Sequence, residues 1–283
     1  MSNPNKTATL RNVSLAYPAG NTAVDKISFT LFDSEIVGLI GANGSGKTTL
    51  LKLISGYMPL TGGYIELDMK PIEDYDEKKL NEFVTLVEQN PEGQLTGPTI
   101  EDELARNCRM MGLKGNEIRN KVTEVLKELN MEPAREWFLD EISSGERRRI
   151  ALGVALLSRP KLLLLDEPLS DLDDNGVRAT LEFIRSYAKT GCTILVSSHK
   201  MDDLIKITDR LAVLEQGALV QIGPTDTILR NSTLMKQSGV IMPSIPGLCI
   251  ELENSGLIPK MEKIPTTLED AKELIRQAIK PQA

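Results

Sequence analysis

The first part of the chain alternates apolar residues with polar or small ones. This pattern runs through residues 13–17 and returns at residues 27–31. A period of two places alternate side chains on opposite faces of a strand, as in strands with one buried face. The sequence therefore predicts an antiparallel sheet at the start of the chain.

Further along, the apolar residues form continuous runs. The segment EIVGLI at residues 35–40 is a strand that leads into a glycine loop and a helix. The runs KLLLLD and CTILVSS at residues 161–166 and 192–198 are typical of strands buried on both faces of a parallel sheet. A helix centred on Leu181 and Ile184 separates them. These elements indicate an α/β fold with a mainly parallel sheet.

Helical spacing of apolar residues marks two other parts of the chain. One is a mostly helical subdomain at about residues 91–157. The other is the tail, where two short helices are indicated and a Thr266 and Glu269 capping pattern opens the second. The sequence thus predicts one domain over residues 1–225 and a small C-terminal extension over residues 226–283.

Composition sets the class of protein. The chain has 283 residues, of which 41% are hydrophobic, so it is long enough for a buried core in one large domain or two smaller ones. Its 33 basic and 40 acidic residues give a net charge of −7, which provides no overall attraction to nucleic acid or anionic lipid. We therefore expect no nucleic-acid partner.

Targeting signals and cysteine spacing narrow the class further. The first residues, MSNPNKTATLRN, lack the apolar core of a secretory signal. No run approaches the roughly 18 apolar residues that a membrane helix needs. The three cysteines are spaced like neither a disulfide framework nor a zinc site. We expect a cytoplasmic protein that works at a membrane only when it is docked to another protein.

Residues 41–48 match the phosphate-loop pattern G-x-x-x-x-G-K-[ST] in full. In such a loop the glycines turn backbone N–H groups toward phosphate oxygens, Lys47 reaches the outer phosphates, and the Thr48 hydroxyl holds Mg²⁺. A plain glycine turn before a helix is the alternative, but the flanking strand and helix favour phosphate binding. The predicted nucleotide-binding residues are Gly41, Ala42, Asn43, Gly44, Ser45, Gly46, Lys47, Thr48 and Thr49.

Two acidic residues follow the apolar run LLLL. Asp166 lies at the end of this strand, at the sheet edge where ligands bind, and can complete a magnesium site with Thr48. Glu167 is a candidate to orient or deprotonate the attacking water. Two acids after a strand are by themselves more often a solvated strand end, but the phosphate loop favours the catalytic interpretation.

Two more polar residues leave the same predicted sheet edge. His199, the single histidine, follows the next strand, so we expect Lys47, Asp166 and His199 to converge on one phosphate. An ordinary polar loop residue is the alternative for His199. Gln89 closes the strand FVTLVEQ, and its amide can contact the metal or the water.

The segment ISSGERRRIAL at residues 142–152 allows two interpretations. Ser143 and Glu146 form a capping box, in which each side chain bonds the backbone of the other residue, so the segment starts a helix. It can also be half of an ATP site whose other half lies on a second molecule. The arginines at residues 147–149 are either a solvated helix face or a contact with a partner, and solvation is the interpretation that we adopt.

The chain resembles the ATP-binding-cassette ATPases over about residues 7–224. The motifs of that family occur in order as GANGSGKT, VEQNP, ISSGE, LLLLDEP, SDLD and SSH. The resemblance implies a P-loop NTPase (RecA-like) core with an N-terminal antiparallel β subdomain and a helical subdomain, and ATP and Mg²⁺ as ligands. It also implies two cassettes bound head to tail, with Ser143 and Gly145 of one closing the phosphate loop of the other.

Further roles are implied by the same resemblance. Tyr17 is similar to the aromatic residue that stacks on adenine, with core packing as an equal alternative. Residues 170–173 resemble the loop that communicates between the two sites, and QNPEGQLTGPT resembles the segment that grips the coupling helices of a membrane subunit. Ser144 departs from the usual Leu-Ser-Gly-Gly-Gln, in which this position is a glycine. Its side chain therefore stands where the backbone is otherwise free to approach closely or take a positive φ.

A finer resemblance to the energy-coupling-factor and cobalt-transport branch rests on QNPEGQLTGPTIEDEL and on the tail. It implies the ATPase subunit of an importer at the cytoplasmic face of the cell membrane, for a vitamin or a transition-metal ion selected by another protein. The implied partners are a second ABC ATPase chain, identical or homologous, and an integral membrane subunit. The alternatives are a soluble cassette protein not coupled to transport and a degenerate ATP-binding cassette in a heterodimer.

Overall fold

The computed structural model describes residues 5–17, 20–90 and 95–279. The strands are β1 (Lys6–Ala16), β2 (Thr22–Phe32), β3 (Ile36–Ile40), β4 (Gly62–Leu67), β5 (Lys70–Pro71), β6 (Val84–Val87), β7 (Leu162–Asp166), β8 (Thr193–Ser197), β9 (Arg210–Glu215) and β10 (Ala218–Pro224). The helices are α1 (Lys47–Ile54), α2 (Glu77–Phe83), α3 (Ile100–Met110), α4 (Asn116–Glu128), α5 (Ser144–Leu156), α6 (Asp174–Ala188), α7 (Met201–Leu204), α8 (Thr225–Arg230), α9 (Ser232–Gln237), α10 (Ser244–Asn254) and α11 (Leu268–Ile279). Within those described ranges, no helix is both long and apolar enough to span a bilayer.

The first sheet has the strand order β2-β1-β4-β5, and its neighbouring strands are antiparallel. Val13 and Leu15 of β1 are buried, as the alternating pattern predicts, and Ile27 and Leu31 of β2 belong to the same buried cluster. The opposite faces of these strands carry more exposed residues. The predicted antiparallel sheet at the start of the chain is confirmed.

The second sheet has the strand order β10-β9-β3-β8-β7-β6. Its pairs are parallel from β9 to β6, whereas β10 pairs antiparallel with β9. Every residue of β3, β7 and β8 is buried, as continuous apolar runs predict for a sheet covered on both faces. The predicted α/β fold with a mainly parallel sheet is confirmed.

The parallel strands bring the candidate residues to one edge of the second sheet. Ser197 at the end of β8 pairs with Leu39 of β3 on one side and with Asp166 of β7 on the other. The last residue of β6, Val87, lies opposite Leu165. The loops that follow these strands therefore leave the sheet side by side, at the edge where ligands bind in such folds.

A helical subdomain formed by α3, α4 and α5 lies between β6 and β7 in the chain. Val122 and Val125 of α4, Leu104 of α3 and Ile150 of α5 are buried in one cluster, because apolar residues three or four apart share a helix face. Residues 91–94 begin the predicted helical subdomain and belong to the segment QNPEGQLTGPT, and they lie outside the described residues.

The helices after β10 pack on the rest of the molecule. Cys249, Ile264 and Ala271 from this C-terminal part are buried in the same cluster as Leu204 and Ile205, which precede β9. The tail therefore shares a continuous apolar core with the part of the chain that carries the second sheet.

The start of α11 corrects one expectation. The predicted capping pair Thr266 and Glu269 is one residue too early, because α11 begins at Leu268. Thr267 is the residue that precedes the helix, and its Oγ1 accepts a hydrogen bond of 3.2 Å from the Asp270 backbone N–H. Both threonines satisfy the sequence pattern, and the helix start decides between them.

Candidate functional site

The loop between β3 and α1 has a backbone that requires glycine at particular positions. Gly41, Gly44 and Gly46 have φ of 152°, 78° and 100°. A Cβ added to Gly46 would lie 2.6 Å from the carbonyl oxygen of Ala23, and one added to Gly41 would lie 2.2 Å from that of Leu214. Glycine therefore allows the loop to fold tightly against both sheets.

Lys47 opens α1 and is buried against the loop. Its Nζ donates to the carbonyl oxygens of Gly41 and Ala42 at 2.9 and 3.1 Å. Burial lowers the pKa of Lys47, and the carboxylates of Glu167 and Asp166 oppose this shift in part.

Ser45 supplies a buried hydroxyl to the same loop. Its Oγ has no hydrogen-bond partner within the part of the chain that the structure describes. A buried polar atom without a partner is costly, so this loop is suited to a ligand rich in hydrogen-bonding oxygens.

Asp166 is held at the end of β7 by hydroxyl groups from two neighbouring elements. Its Oδ2 accepts from Thr48 Oγ1 at 2.7 Å, and its Oδ1 accepts from Ser197 Oγ at 2.6 Å. Carboxylate and hydroxyl oxygens are hard ligands of the kind that Mg²⁺ prefers, so the donor set fits that ion. The described residues contain no cluster of three or more His, Cys, Asp or Glu side chains suited to a metal.

Glu167 has a left-handed backbone, with φ of 50°. This conformation costs a residue with a side chain about 1 kcal/mol. The Glu167 N–H donates to Ser197 Oγ at 3.0 Å, which helps to hold it. Its Oε2 accepts from the His199 backbone N–H at 3.1 Å and lies 2.7 Å from His199 Nδ1. The carboxylate is thus buried and held, while the imidazole is about half exposed.

One cavity of about 380 Å³ collects most of the predicted site. It is lined by Ala23, Asn43, Gly44, Gly46, Lys47, Thr48, Thr49, Gln89, Asp166, Glu167 and His199. The phosphate loop, the acidic pair, the histidine and the glutamine therefore lie together, as we expected from the sheet edge. Ala23 comes from the first sheet, and no pattern in the sequence indicates that it contributes to the cavity.

Six predicted residues do not line this cavity. Three of them, Gly41, Ala42 and Ser45, belong to the phosphate loop itself, and the other three are Tyr17, Ser143 and Gly145. Tyr17 follows β1 and is 43% exposed. Ser143 and Gly145 lie at the start of α5, where the predicted capping box is present. Ser143 Oγ accepts from the Glu146 N–H at 3.3 Å, and Glu146 Oε2 accepts from the Ser143 N–H at 2.9 Å. This helix end is exposed, so it is available to another molecule.

Ser144 fits its position without backbone strain. It is the first residue of α5, and it is not among the residues with positive φ. A Cβ even at the next position, Gly145, would meet only the Leu172 side chain at 3.6 Å, an ordinary contact. Residue 144 therefore needs no positive φ in this chain, whereas the close approach of its backbone stays a prediction.

Arg148 corrects the interpretation of the three arginines as a solvated face. Its exposed fraction is 4%, whereas Arg147 and Arg149 are partly exposed. Arg148 Nη2 donates to the Gln89 carbonyl at 2.9 Å, and Nη1 donates to the Ser170 carbonyl. A run of like charges in a sequence indicates a solvent-exposed face. Only the packing of α5 shows that Arg148, the middle one of the three arginines, points inward.

Ser197 is a second residue that sequence reasoning missed. Its single hydroxyl donates to Asp166 and accepts from the Glu167 N–H, so it fixes both acids to β8. The only signal in the sequence is its position two residues before His199, at the end of a buried strand.

Comparisons with known proteins agree with this architecture. A family model described as ABC transporter matches residues 24–170. The energy-coupling factor transporter ATP-binding protein EcfA of Methanosphaera stadtmanae is 30% identical over 264 residues, which cover 92% of this chain and 95% of that protein. The EcfA protein of Methanoculleus marisnigri is 31% identical over 93% of this chain and 94% of its own length. The solved structure of cbiO1 from Clostridium perfringens, part of the ABC transporter complex cbiONQ, is 26% identical with a TM-score of 0.76, over 88% of this chain and 99% of that one.

Proposed function

This chain belongs to the family of ABC transporter ATPases, and we propose that it powers an importer of the energy-coupling-factor type. Proteins of this family couple ATP hydrolysis to transport. The names of the relatives support the importer class, and the proposed cargo is a vitamin or a transition-metal ion such as cobalt or nickel. Another protein would select that cargo. Residues 1–225 would form the ATPase domain and residues 226–283 a C-terminal extension.

The observation that carries the proposal is that two hydrogen-bonded pairs of side chains line one cavity. Thr48 bonds Asp166, and Glu167 bonds His199, beside the loop that holds Lys47. In the proposed complex, Lys47 and the backbone N–H groups of residues 41–49 bind the phosphates of ATP. Mg²⁺, when bound, would neutralise charge on the outer phosphates.

Three side chains are proposed to hold that ion. They are Thr48, Asp166 and Gln89, which line the cavity and offer a hydroxyl, a carboxylate and an amide oxygen. Ser197 keeps the carboxylate of Asp166 oriented through its hydrogen bond to Oδ1.

Glu167 and His199 are proposed to act on the attacking water. The contact between Glu167 Oε2 and His199 leaves Oε1 as the oxygen that accepts the proton when water attacks the γ-phosphate. His199 would steady the γ-phosphate, since its exposed imidazole faces the cavity. Hydrolysis yields ADP and phosphate, and it would reopen a dimer closed by ATP.

A complete site is proposed to need a second cassette, identical or homologous. Ser143 and Gly145 lie outside their own cavity at the exposed N-terminus of α5, whose positive end favours an anion. They would contact the γ-phosphate held by the partner. Tyr17, which is exposed after β1, would stack on adenine.

We also propose that an integral membrane subunit recruits the chain to the cytoplasmic face of the cell membrane. The absence of an apolar spanning helix among the described residues is compatible with such peripheral attachment. With a net charge of −7, we propose no nucleic-acid partner.

The proposal is tested with the variant Glu167→Gln. Its ATPase rate should fall about 100-fold or more, because the amide cannot accept the proton, while its affinity for Mg-ATP is retained. Glu215→Gln, at the end of β9 and outside the cavity, is the matched control and should keep the wild-type rate.

Light scattering on the same protein tests the composite site. Glu167→Gln should change from monomer to dimer only when Mg-ATP is added, because blocked hydrolysis preserves the closed state. Full ATPase activity of the variant would remove Glu167 from its proposed role. A persistent monomer with bound ATP would show that a different cassette or the membrane subunit is needed.

A further inference from the structure

A buried arginine joins the helix of the capping box to the hydrolysis site. Arg148 of α5 is 4% exposed. One arm of its guanidinium, Nη2, donates to the backbone carbonyl of Gln89 at 2.9 Å. The other arm, Nη1, donates to the Ser170 carbonyl and lies 3.3 Å from Ser170 Oγ. One side chain thus bridges three segments that are distant in the chain.

Stability alone does not account for this arginine. In the described residues the guanidinium of Arg148 bonds backbone carbonyls and a hydroxyl but no carboxylate, and its buried Nε has no hydrogen-bond partner there. Moving a guanidinium out of water without a carboxylate costs free energy that an apolar side chain of similar size would avoid. The position is therefore explained better by what the guanidinium holds than by a gain in stability.

Both targets of Arg148 lead directly to the cavity. Gln89 itself lines it. Ser170 donates from its N–H and from its Oγ to the Glu167 carbonyl, at 3.1 and 3.0 Å. Glu167 has the left-handed backbone that needs such support. Arg148 is thus one hydrogen-bonded residue away from the proposed catalytic carboxylate.

We propose that Arg148 is a positioning residue for ATP hydrolysis, which fixes Gln89 and Glu167 of its own chain to α5. This inference rests on the proposed function, because it assumes that those two residues act in hydrolysis. The same helix presents Ser143 and Gly145 at its exposed end. A shift of α5 on contact with a partner would therefore be transmitted through one guanidinium to the chain's own site.

The chemistry of arginine suits this task. Its planar guanidinium presents donors on two arms and stays charged, so it can hold two backbone carbonyls at once. Lysine would offer a single ammonium, and glutamine a shorter, neutral amide. The size of the loss in kcat should therefore depend on which residue replaces Arg148.

The experiment compares Arg148→Gln and Arg148→Lys with Arg159→Gln. Arg159 follows α5 and bonds Glu124 and Glu128 at 2.6 and 2.7 Å, so its loss removes ion pairs that involve neither Gln89 nor Glu167. For each protein, kcat and KM for ATP, the equilibrium affinity for a fluorescent ATP analogue and the melting temperature are measured.

Arg148→Gln should lower kcat about 100-fold, because small misplacement of catalytic groups has effects of that size. Its ATP affinity and KM should stay within about threefold of the wild type, since the phosphate loop is untouched. The kcat of Arg148→Lys should lie between those of the wild type and Arg148→Gln. Arg159→Gln should keep the wild-type kcat even if its melting temperature falls as much as that of Arg148→Gln.

Two results distinguish a failure of the proposed function from a failure of the proposed role of Arg148. If the wild-type protein, assembled with its partners, does not hydrolyse ATP, the proposed function fails. If the wild type hydrolyses ATP and Arg148→Gln keeps the kcat of Arg159→Gln, the role of Arg148 is overturned. Should Arg148→Gln not fold, Arg148→Lys tests the same connection, and a kcat in that variant equal to that of Arg159→Gln would equally contradict the proposal.

Discussion

Gly46 shows how a single residue determines the shape of the phosphate loop. Its φ of 100° lies in a region that favours glycine, and the Ala23 carbonyl occupies the space next to its Cα. We expect Gly46→Ala to weaken ATP binding at least about tenfold, or about 1.4 kcal/mol, because the loop must move to relieve a contact of 2.6 Å. Equilibrium titration with a fluorescent ATP analogue measures this.

Gly191→Ala is the matched control for that variant. Gly191 has nearly the same φ, 101°, but nothing lies within 4 Å of an added Cβ. Both variants should lose about 1 kcal/mol of stability from backbone strain, while only Gly46→Ala should lose ATP affinity. Equal ATP affinities in the two variants would show that the close approach of the first sheet is unimportant for binding.

The residues of the site differ in how far the sequence could predict them. Lys47 and Asp166 were predictable, because a fixed motif spacing and the end of an apolar strand place each of them locally. The contact of Glu167 with His199 required the strand order, which brings β7 and β8 side by side. The burial of Arg148 was not predictable, because its neighbours in sequence are also arginines and only the packing of α5 orients it.

At the scale of elements, Glu103 of α3 holds the loop before that helix through hydrogen bonds. This side chain is almost completely buried, and its Oε2 accepts from the Thr96 and Gly97 N–H groups at 2.9 and 2.6 Å. Its Oε1 accepts from Arg106 and Asn107. Burial by itself would raise the pKa of Glu103, but these hydrogen bonds together outweigh it and lower the pKa.

The lowered pKa predicts how stability depends on pH. A carboxyl with a depressed folded-state pKa contributes stability above its unfolded pKa, and this contribution is lost as the pH falls through the folded value. We expect Glu103→Gln to lose about 2 kcal/mol of unfolding free energy at pH 7, since it breaks buried hydrogen bonds. The difference from the wild type should shrink below about pH 4.3, the ordinary value for Glu.

Urea denaturation of both proteins at neutral and acid pH measures this difference. Glu101→Gln is the control, because Glu101 is on the same helix but forms a partly exposed ion pair with Arg135 at 2.8 Å. It should cost about 0.5 kcal/mol. A pH-independent difference for Glu103→Gln would mean that the ionised form of Glu103 has no special role.

Elements were predicted better than their boundaries and contacts. The runs at β7 and β8 were placed within one residue, because a fully buried strand leaves an uninterrupted apolar signature. The start of α11 was misplaced, because Thr266 and Thr267 offer the same capping chemistry. Local patterns alone could not decide where the tail packs, since its apolar residues would suit any apolar neighbour.

For the whole molecule, the shared core predicts that the tail and the remainder unfold together. Ile264 is 1% exposed within the cluster that also contains Leu204. We expect Ile264→Ala to destabilise the protein by about 2–4 kcal/mol through a cavity. The single tryptophan, Trp137, lies in the helical subdomain, and its fluorescence should report the same lowered transition.

Leu268→Ala is the control for this prediction. Leu268 also belongs to the tail, but it is 57% exposed, so its loss should leave the transition nearly unchanged. If circular dichroism shows an early transition in Ile264→Ala while the Trp137 signal stays at the wild-type temperature, the tail unfolds independently and the shared core is not cooperative.

The contribution of Ala23 to the cavity wall has a consequence for the molecule as a whole. Its carbonyl lies against Gly46, and the neighbouring Asp25 N–H donates to the Gly217 carbonyl at 2.8 Å, so the two sheets meet where ATP would bind. A ligand that binds only when the two sheets are in contact stabilises that contact by its binding free energy. Nucleotide occupancy and the relative orientation of the sheets are then thermodynamically linked, and amide protons of β1 and β2 would exchange more slowly when the nucleotide is present.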